Sequence, residues 1–181
     1  GTAFTATVLV NPTPDVTATP STQTVCTGTA MTTITFNGAV SGTTYNWTRN
    51  NTTNVTGIAA AGTGPISGIV TNTTTTQQTV VFTITPVANG CNGSPITATM
   101  VVNTAPQITC PANITVNNGT GLCGAVVTYP GAVATGSPAP VITYSIPSGS
   151  TFPVGSTTVT ATATNTCGTA SCTFTVTVVD V

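Results

Sequence analysis

Apolar and polar residues alternate with a period of two along most of the chain. Thr33-Ile34-Thr35-Phe36, Val81-Phe82-Thr83-Ile84-Thr85, Val159-Thr160-Ala161-Thr162 and Phe174-Thr175-Val176-Thr177-Val178 each set apolar side chains on one face and threonine on the other. That period marks half-buried β-strands, and no comparable stretch shows a helical period. Turn dipeptides (Asn37-Gly38, Ser41-Gly42, Asn92-Gly93, Asn118-Gly119, Ser148-Gly149) interrupt the pattern at strand-length intervals. Short strands without helices predict an all-β sandwich or barrel.

An internal repeat sets the domain plan. Gly1 to Asn11 aligns without gaps on Gly93 to Asn103, and each copy is followed three residues on by a proline, Pro14 and Pro106. Residues 93–103 read as the last strand before a boundary, so residues 1–13 read as the last strand of a preceding domain. Donation of that strand to a neighbouring subunit is the alternative. The first complete sandwich is then expected over 14–103, with strands near 15–19, 22–26, 31–37, 43–49, 66–71, 79–87 and 95–103. The second is expected over 104–181, with strands near 107–117, 124–130, 140–146, 157–164 and 171–179. The linker 103–106 is short, which predicts immunoglobulin-like sandwiches arranged end to end.

Charge changes the picture most. Only 2% of the 181 residues are charged, namely Asp15, Arg49 and Asp180, and there is neither Lys nor His. Soluble domains usually carry about 25%. No apolar run approaches the roughly 20 residues of a spanning helix, so membrane insertion is not expected. Threonine takes over the role of charge, being polar yet β-branched. With 39% hydrophobic residues in regular alternation, disorder is not the expectation. Gly1 opens directly on strand-like sequence with no signal peptide visible, which reads as a mature chain or a fragment.

This inventory argues against several kinds of chemistry. General acid–base catalysis wants His or paired carboxylates, and nucleophile triads want a base, so no catalytic residue, cofactor or enzyme activity is expected. One Arg cannot neutralise a phosphate backbone, which argues against nucleic acid as a partner. Six cysteines without His or paired C-x-x-C hooks point to disulfides rather than a metal, and hence to an extracellular setting.

Several motifs carry a resemblance. Ile108-Thr-Cys-Pro-Ala-Asn-Ile-Thr-Val116, Cys123-Gly-Ala-Val-Val-Thr-Tyr129, Pro147-Ser-Gly-Ser-Thr-Phe-Pro-Val-Gly155, Thr158-Val-Thr-Ala-Thr-Ala163 and Cys172-Thr-Phe-Thr-Val-Thr-Val178 follow in order. With them the second domain resembles the hyalin repeat (HYR) family. Through Val25-Cys-Thr-Gly28, Thr44-Tyr-Asn-Trp-Thr48 and Phe82-Thr-Ile-Thr-Pro-Val-Ala-Asn-Gly-Cys91 the first is similar to PKD-like repeats. Such modules build giant SprB-type gliding and cell-surface adhesins of Bacteroidota, exported by the type IX system. The resemblance implies a structural or adhesive repeat whose partners are neighbouring repeat domains and surface glycans. Hyalin repeats commonly carry Asp in the Ala-Thr-Asp turn, where this chain has Ala163-Thr-Asn165, and two carboxylates leave no ligand set for Ca²⁺.

Trp47, the sole tryptophan, is expected in the core as in immunoglobulin domains; a sugar-stacking face shared with Tyr45 is the alternative. Cys110 is expected to open the first strand of the second domain and Cys172 its last. Those strands lie side by side in this fold, which pairs the two cysteines. Cys26 and Cys91 fall at opposite ends of a sandwich, as do Cys123 and Cys167. One resolution bonds Cys26 to Cys167 across the domain junction and sends Cys91 and Cys123 to neighbouring domains. The other is intradomain, Cys26–Cys91 and Cys123–Cys167. Sequons at Asn46, Asn50, Asn51, Asn54, Asn72, Asn92, Asn113 and Asn118 are candidate glycosylation sites. The expected function is a disulfide-braced structural segment of an extracellular adhesin or surface filament. A carbohydrate-binding module and a fibre subunit donating strand 2–10 are the alternatives. Ice binding by threonine runs such as Thr73 to Thr76 is a remote third.

Overall fold

The computed structural model describes residues 1–181. The chain is all strand and turn, as the alternation predicts, and divides into two compact units. The first comprises residues 1–73 and 78–102, the second 74–77 and 103–181.

The first unit is a two-sheet sandwich. In one sheet the strand Gln78–Ala88 is central, antiparallel to Thr44–Arg49 on one side and to the opening half of Ile96–Thr109 on the other. Ala61–Thr63 extends this sheet beyond Thr44–Arg49, and Thr22–Cys26 pairs with Ile96–Thr109. The facing layer is made of Thr17–Thr19 with Thr35–Asn37, and of Thr29–Ala30, Ile69–Asn72 and Val55–Thr56. Alternate residues of the central strand, Val80, Phe82 and Ile84, are fully buried, and Ala98, Met100 and Val102 meet them from the neighbouring strand. Burying each such side chain contributes roughly 1.5–3 kcal/mol. Trp47 lies in this core, edge-on to Phe82 with ring centroids 6.1 Å apart, and its indole N–H donates to Gly64 O at 3.0 Å. Gly62 sits opposite Trp47 in register, where a Cβ would come within 2.7 Å of the indole. Glycine there leaves the ring its space.

In the second unit one sheet runs Ile114–Asn117, Gly168–Val179, Gly155–Asn165, Val141–Tyr144. Its first pair is parallel and the others antiparallel. Gly124–Val127 pairs with Ser150–Pro153, and Val133–Ser137 with the closing half of Ile96–Thr109. The core gathers Val127, Tyr129, Phe152, Val159, Phe174, Val176 and Val178.

The outward face of the long hairpin is almost wholly hydroxyl. Ser156 faces Thr177, Thr158 faces Thr175, Thr160 faces Thr173, Thr162 faces Ser171, and Thr164 faces Thr169. Three of these pairs share hydrogen bonds of 3.1–3.4 Å. Thr73 to Thr76, by contrast, lie in a loop between strands.

Residues 1–10 are exposed and pair with no strand of this chain, with Phe4 at 94%; alternation alone cannot make a strand, because the backbone groups need a paired neighbour. Three expectations need correction. The expected linker 103–106 lies inside the strand Ile96–Thr109. Pro106 falls where the register to Val133–Ser137 shifts, at a bulge that asks no N–H of it. The expected strand 107–117 is two strands, broken at Cys110-Pro111. Its first part pairs with Val133–Ser137 and its second with Gly168–Val179. Strands Val55–Thr56, Ala61–Thr63, Val133–Ser137 and Ser150–Pro153 add to those expected.

Tyr129 gives the second unit a pH-sensitive element. Its hydroxyl donates to Ile146 O, and its ring packs edge-on to Phe174 at 4.9 Å. Burial, with the nearby Tyr144 phenol adding to it, pushes its pKa above the ordinary tyrosine value. The unfolded chain therefore ionises first, near pH ~10, and stability falls as pH rises past that point. Tyr129→Phe is expected to lower stability at neutral pH and to flatten the alkaline loss. Urea unfolding from about pH 8 to 11 tests this; parallel pH profiles for the two proteins would refute it.

Candidate functional site

The features with chemical or mechanical capacity are the cysteines, the three charges and the hydroxyl surface. Cys110 and Cys172 form a disulfide with Cα atoms 5.7 Å apart. The parallel ladder that places Ile114 opposite Val176 has an offset of 62, and the same offset separates the two cysteines. Extending the register back four residues from Ile114 therefore sets Cys110 opposite Cys172. Between them Asn113 Oδ1 accepts from Thr175 N at 2.9 Å. The bond is thus positioned differently from the expectation. Cys110 lies in the break between strands rather than opening one, and Cys172 is the fifth residue of Gly168–Val179.

Cys26 and Cys167 are also disulfide-bonded, whereas Cys91 and Cys123 are free and exposed. The four occupy two kinds of position. Cys26 ends Thr22–Cys26, and Cys123 follows Ile114–Asn117. In each unit that strand pairs with the unit's last strand. Cys91 follows the Asn89-Gly90 turn of one hairpin, and Cys167 lies in the turn between Gly155–Asn165 and Gly168–Val179. Both Asn89 and Gly90 have positive φ, 50° and 76°, the geometry of a two-residue hairpin turn.

The charges are all engaged within the fold. Arg49, nine-tenths buried, spends its guanidinium on backbone carbonyls alone. Nε donates to Ala59 O at 2.9 Å, one terminal nitrogen to Asn50 O at 3.3 Å and Asn51 O at 3.1 Å, and the other to Val55 O at 3.0 Å and Ile58 O at 2.9 Å. Burial lowers its pKa from the ordinary value. Asp15 Oδ1 accepts from Ala39 N at 2.6 Å, and Asp180 Oδ1 from Asn118 Nδ2 at 2.7 Å. No group of three or more His, Cys, Asp or Glu residues is placed to hold a metal ion.

Two of the sequons are buried. Asn118 is only 5% exposed, and its Nδ2 donates to both Leu122 O and Asp180 Oδ1. Asn72, 7% exposed, donates from Nδ2 to Val102 O at 3.2 Å. A glycan on either nitrogen would require that part of the fold to open. Asn51 and Asn54 are half-buried and tied to Gln78, while Asn46, Asn92 and Asn113 are exposed. The proposed sugar-stacking pair is likewise absent as a surface: Trp47 is buried and Tyr45 packs partly against the core.

No helix is long and apolar enough to cross a membrane. Similarity to known proteins follows the two units. Residues 23–106 match the PKD-like domain family, and residues 101–178 the HYR domain family. Hyalin from Strongylocentrotus purpuratus is 37% identical over 112 residues, covering 58% of this chain and 9% of the relative. This chain therefore spans less than a tenth of that protein. Among solved structures, the titin I-band fragment I67-I69 aligns over 94% of this chain and 67% of its own, with a TM-score of 0.59 and 13% identity. The eight N-terminal Ig domains of Down Syndrome Cell Adhesion Molecule align over 92% and 25%, with a TM-score of 0.52 and 14% identity. At such identities the likeness is one of fold, tandem immunoglobulin-type sandwiches. Residues 23–106 are a PKD-like domain and residues 101–178 an HYR domain, carried in that order on one chain.

Proposed function

We propose that this chain is a structural repeat segment of an extracellular adhesin or cell-surface filament, a disulfide-braced stalk. The observation that carries this reading is the use of its chemically capable residues. Four of six cysteines are oxidised, and the three charged side chains make hydrogen bonds within the fold. The likeness to hyalin supports an extracellular place. Export by the type IX system and service in a gliding or surface adhesin of Bacteroidota belong to the same reading. So does glycosylation at the exposed Asn46, Asn92 and Asn113.

In this reading Cys26 bonds Cys167 and covalently clamps the two domains. Its support is that these two cysteines are oxidised while Cys91 and Cys123 are not. The test is disulfide mapping by non-reducing peptic digestion and mass spectrometry of secreted protein. A Cys26–Cys167 peptide is the expected result. Finding Cys26–Cys91 together with Cys123–Cys167 would overturn the clamp and leave each domain braced on its own.

A second reading rests on residues 2–10, whose strand-like alternation is exposed and unpaired. There the segment adds as a strand to a neighbouring subunit. Deletion of 1–11 separates the two readings. A stalk segment keeps its association state, whereas a donor-strand fibre falls to monomers.

A further inference from the structure

We propose that Cys91 and Cys123 are the two halves of a second junction, joining one copy of this chain to the next through a Cys123–Cys91 disulfide. The inference rests on the Cys26–Cys167 clamp and extends it. Cys123 corresponds in the second unit to Cys26 in the first: Cys26 is the last residue of the strand that pairs with the unit's last strand, and Cys123 lies in the connection that leaves that strand, six residues beyond Asn117. Cys91 corresponds in the first unit to Cys167 in the second, both at the end of the final hairpin: Cys167 is in its two-residue turn and Cys91 is the residue directly after its own. If a Cys26-type position meets a Cys167-type position at one junction, the remaining pair is complementary in the same sense. Cys123 faces onward to a hairpin end, and Cys91 lies at such an end. Each copy therefore offers one partner of each kind, a heterologous contact that propagates head to tail rather than closing on itself.

The surfaces are suited to that union. Around Cys123 lies an apolar hollow lined by Leu122, Ala125, Val126, Thr151 and Pro153. Leu122 is 60% exposed and Val126 68%, an unusual display beside a free thiol. Cys91 stands on a two-residue turn, Asn89-Gly90, and a hairpin tip of that size is narrow enough to enter a hollow. The residues that line the hollow are uncharged, and the carboxylate beside it, Asp180, is already held by Asn118, whose Nδ2 donates to both Asp180 Oδ1 and Leu122 O.

The chemistry is thiol–disulfide exchange with a low-molecular-weight disulfide, such as oxidised glutathione, as oxidant. The Cys123 thiolate attacks the glutathione disulfide, forming a mixed disulfide and releasing one glutathione thiolate. The Cys91 thiolate of the next copy attacks the Cys123 sulfur and releases the second. Two protein thiols lose two protons and two electrons, and one glutathione disulfide becomes two glutathione molecules.

The test uses the full chain, concentrated in a glutathione redox buffer, with Cys91→Ser and Cys123→Ser prepared separately. Both substitutions lie at exposed positions, and unchanged melting of each variant confirms that the fold is intact. The intact chain is expected to give a ladder of disulfide-linked multimers. Each single variant alone should stay monomeric, and an equimolar mixture should give a dimer containing a Cys123–Cys91 peptide. Val126→Asp in the Cys123-bearing partner should slow that dimer about tenfold by spoiling the hollow. Homodimers of the single variants forming as readily as the mixed dimer would overturn the proposal, since any exposed thiol then suffices. A mixture that stays monomeric would overturn it as well, as would a Cys91–Cys123 bond within one chain. The Cys26–Cys167 peptide is read from the same digests, so loss of the clamp is distinguished from loss of this second junction.

Discussion

Replacing Arg49 with methionine is expected to cost the first unit about 3–5 kcal/mol of stability, enough to leave it largely unfolded near body temperature. The five N–H groups of this guanidinium bind five carbonyls from residues 50, 51, 55, 58 and 59, organising the loop that follows the strand Thr44–Arg49. Methionine fills a similar volume but donates nothing. Each carbonyl left buried without a donor costs roughly 1–3 kcal/mol, offset in part where the loop opens to water. Arg49→Lys should recover less than half of the loss, because an ammonium has three donors and no planar fork. Trp47, the sole tryptophan and a member of that unit's core, reports the transition by its fluorescence. At about 4–8 °C per kcal/mol for a domain of this size, the midpoint should fall by roughly 15–30 °C. A shift of a few degrees would show that the loop holds itself without the cation.

Removing the Cys110–Cys172 bond should be comparably severe for the second unit. The closed loop spans 62 residues, and constraining a loop of that length in the unfolded chain is worth about 4 kcal/mol. The core it supports is modest, built largely from valines with Phe152, Phe174 and Tyr129. Alanine at both positions should lower urea stability by about 3–4 kcal/mol, with Trp47 fluorescence, which reports the first unit, little altered. If the double variant melts with the parent, the parallel pairing of Ile114–Asn117 with Gly168–Val179 is sufficient without the covalent tie.

These elements differ in how far the sequence revealed them. The strands around 79–87 and 171–179 were legible because threonine and aliphatic residues alternate there, and Gln78–Ala88 and Gly168–Val179 follow that alternation. Val133–Ser137 and Ser150–Pro153 were not legible. The first carries Val-Ala-Thr-Gly-Ser and the second a terminal proline, and both become strands only because partners 24–33 and 23–29 residues away present a matching edge. The pairing of Cys110 with Cys172 could be named from the fold, but its cause could not. The chain breaks at Pro111 and changes from an antiparallel to a parallel partner, and the common offset then brings the sulfurs together. Sequons carried no information on burial: Asn118 is closed off by Asp180, 62 residues away in the chain. Arg49 offered no signal beyond being the lone cation, because its acceptors are carbonyls, which every residue has.

The burial of that one guanidinium has a further consequence, for durability. A protease that cuts after lysine or arginine finds a single target in 181 residues, the bond between Arg49 and Asn50. In the folded chain the Arg49 side chain is held by five carbonyls, and Asn50 N donates to Val81 O at 3.2 Å. Even fully opened, the chain yields two pieces, residues 1–49 and 50–181. Resistance to trypsin-like digestion is thus written into composition as well as fold, and it persists where thermal stability fails.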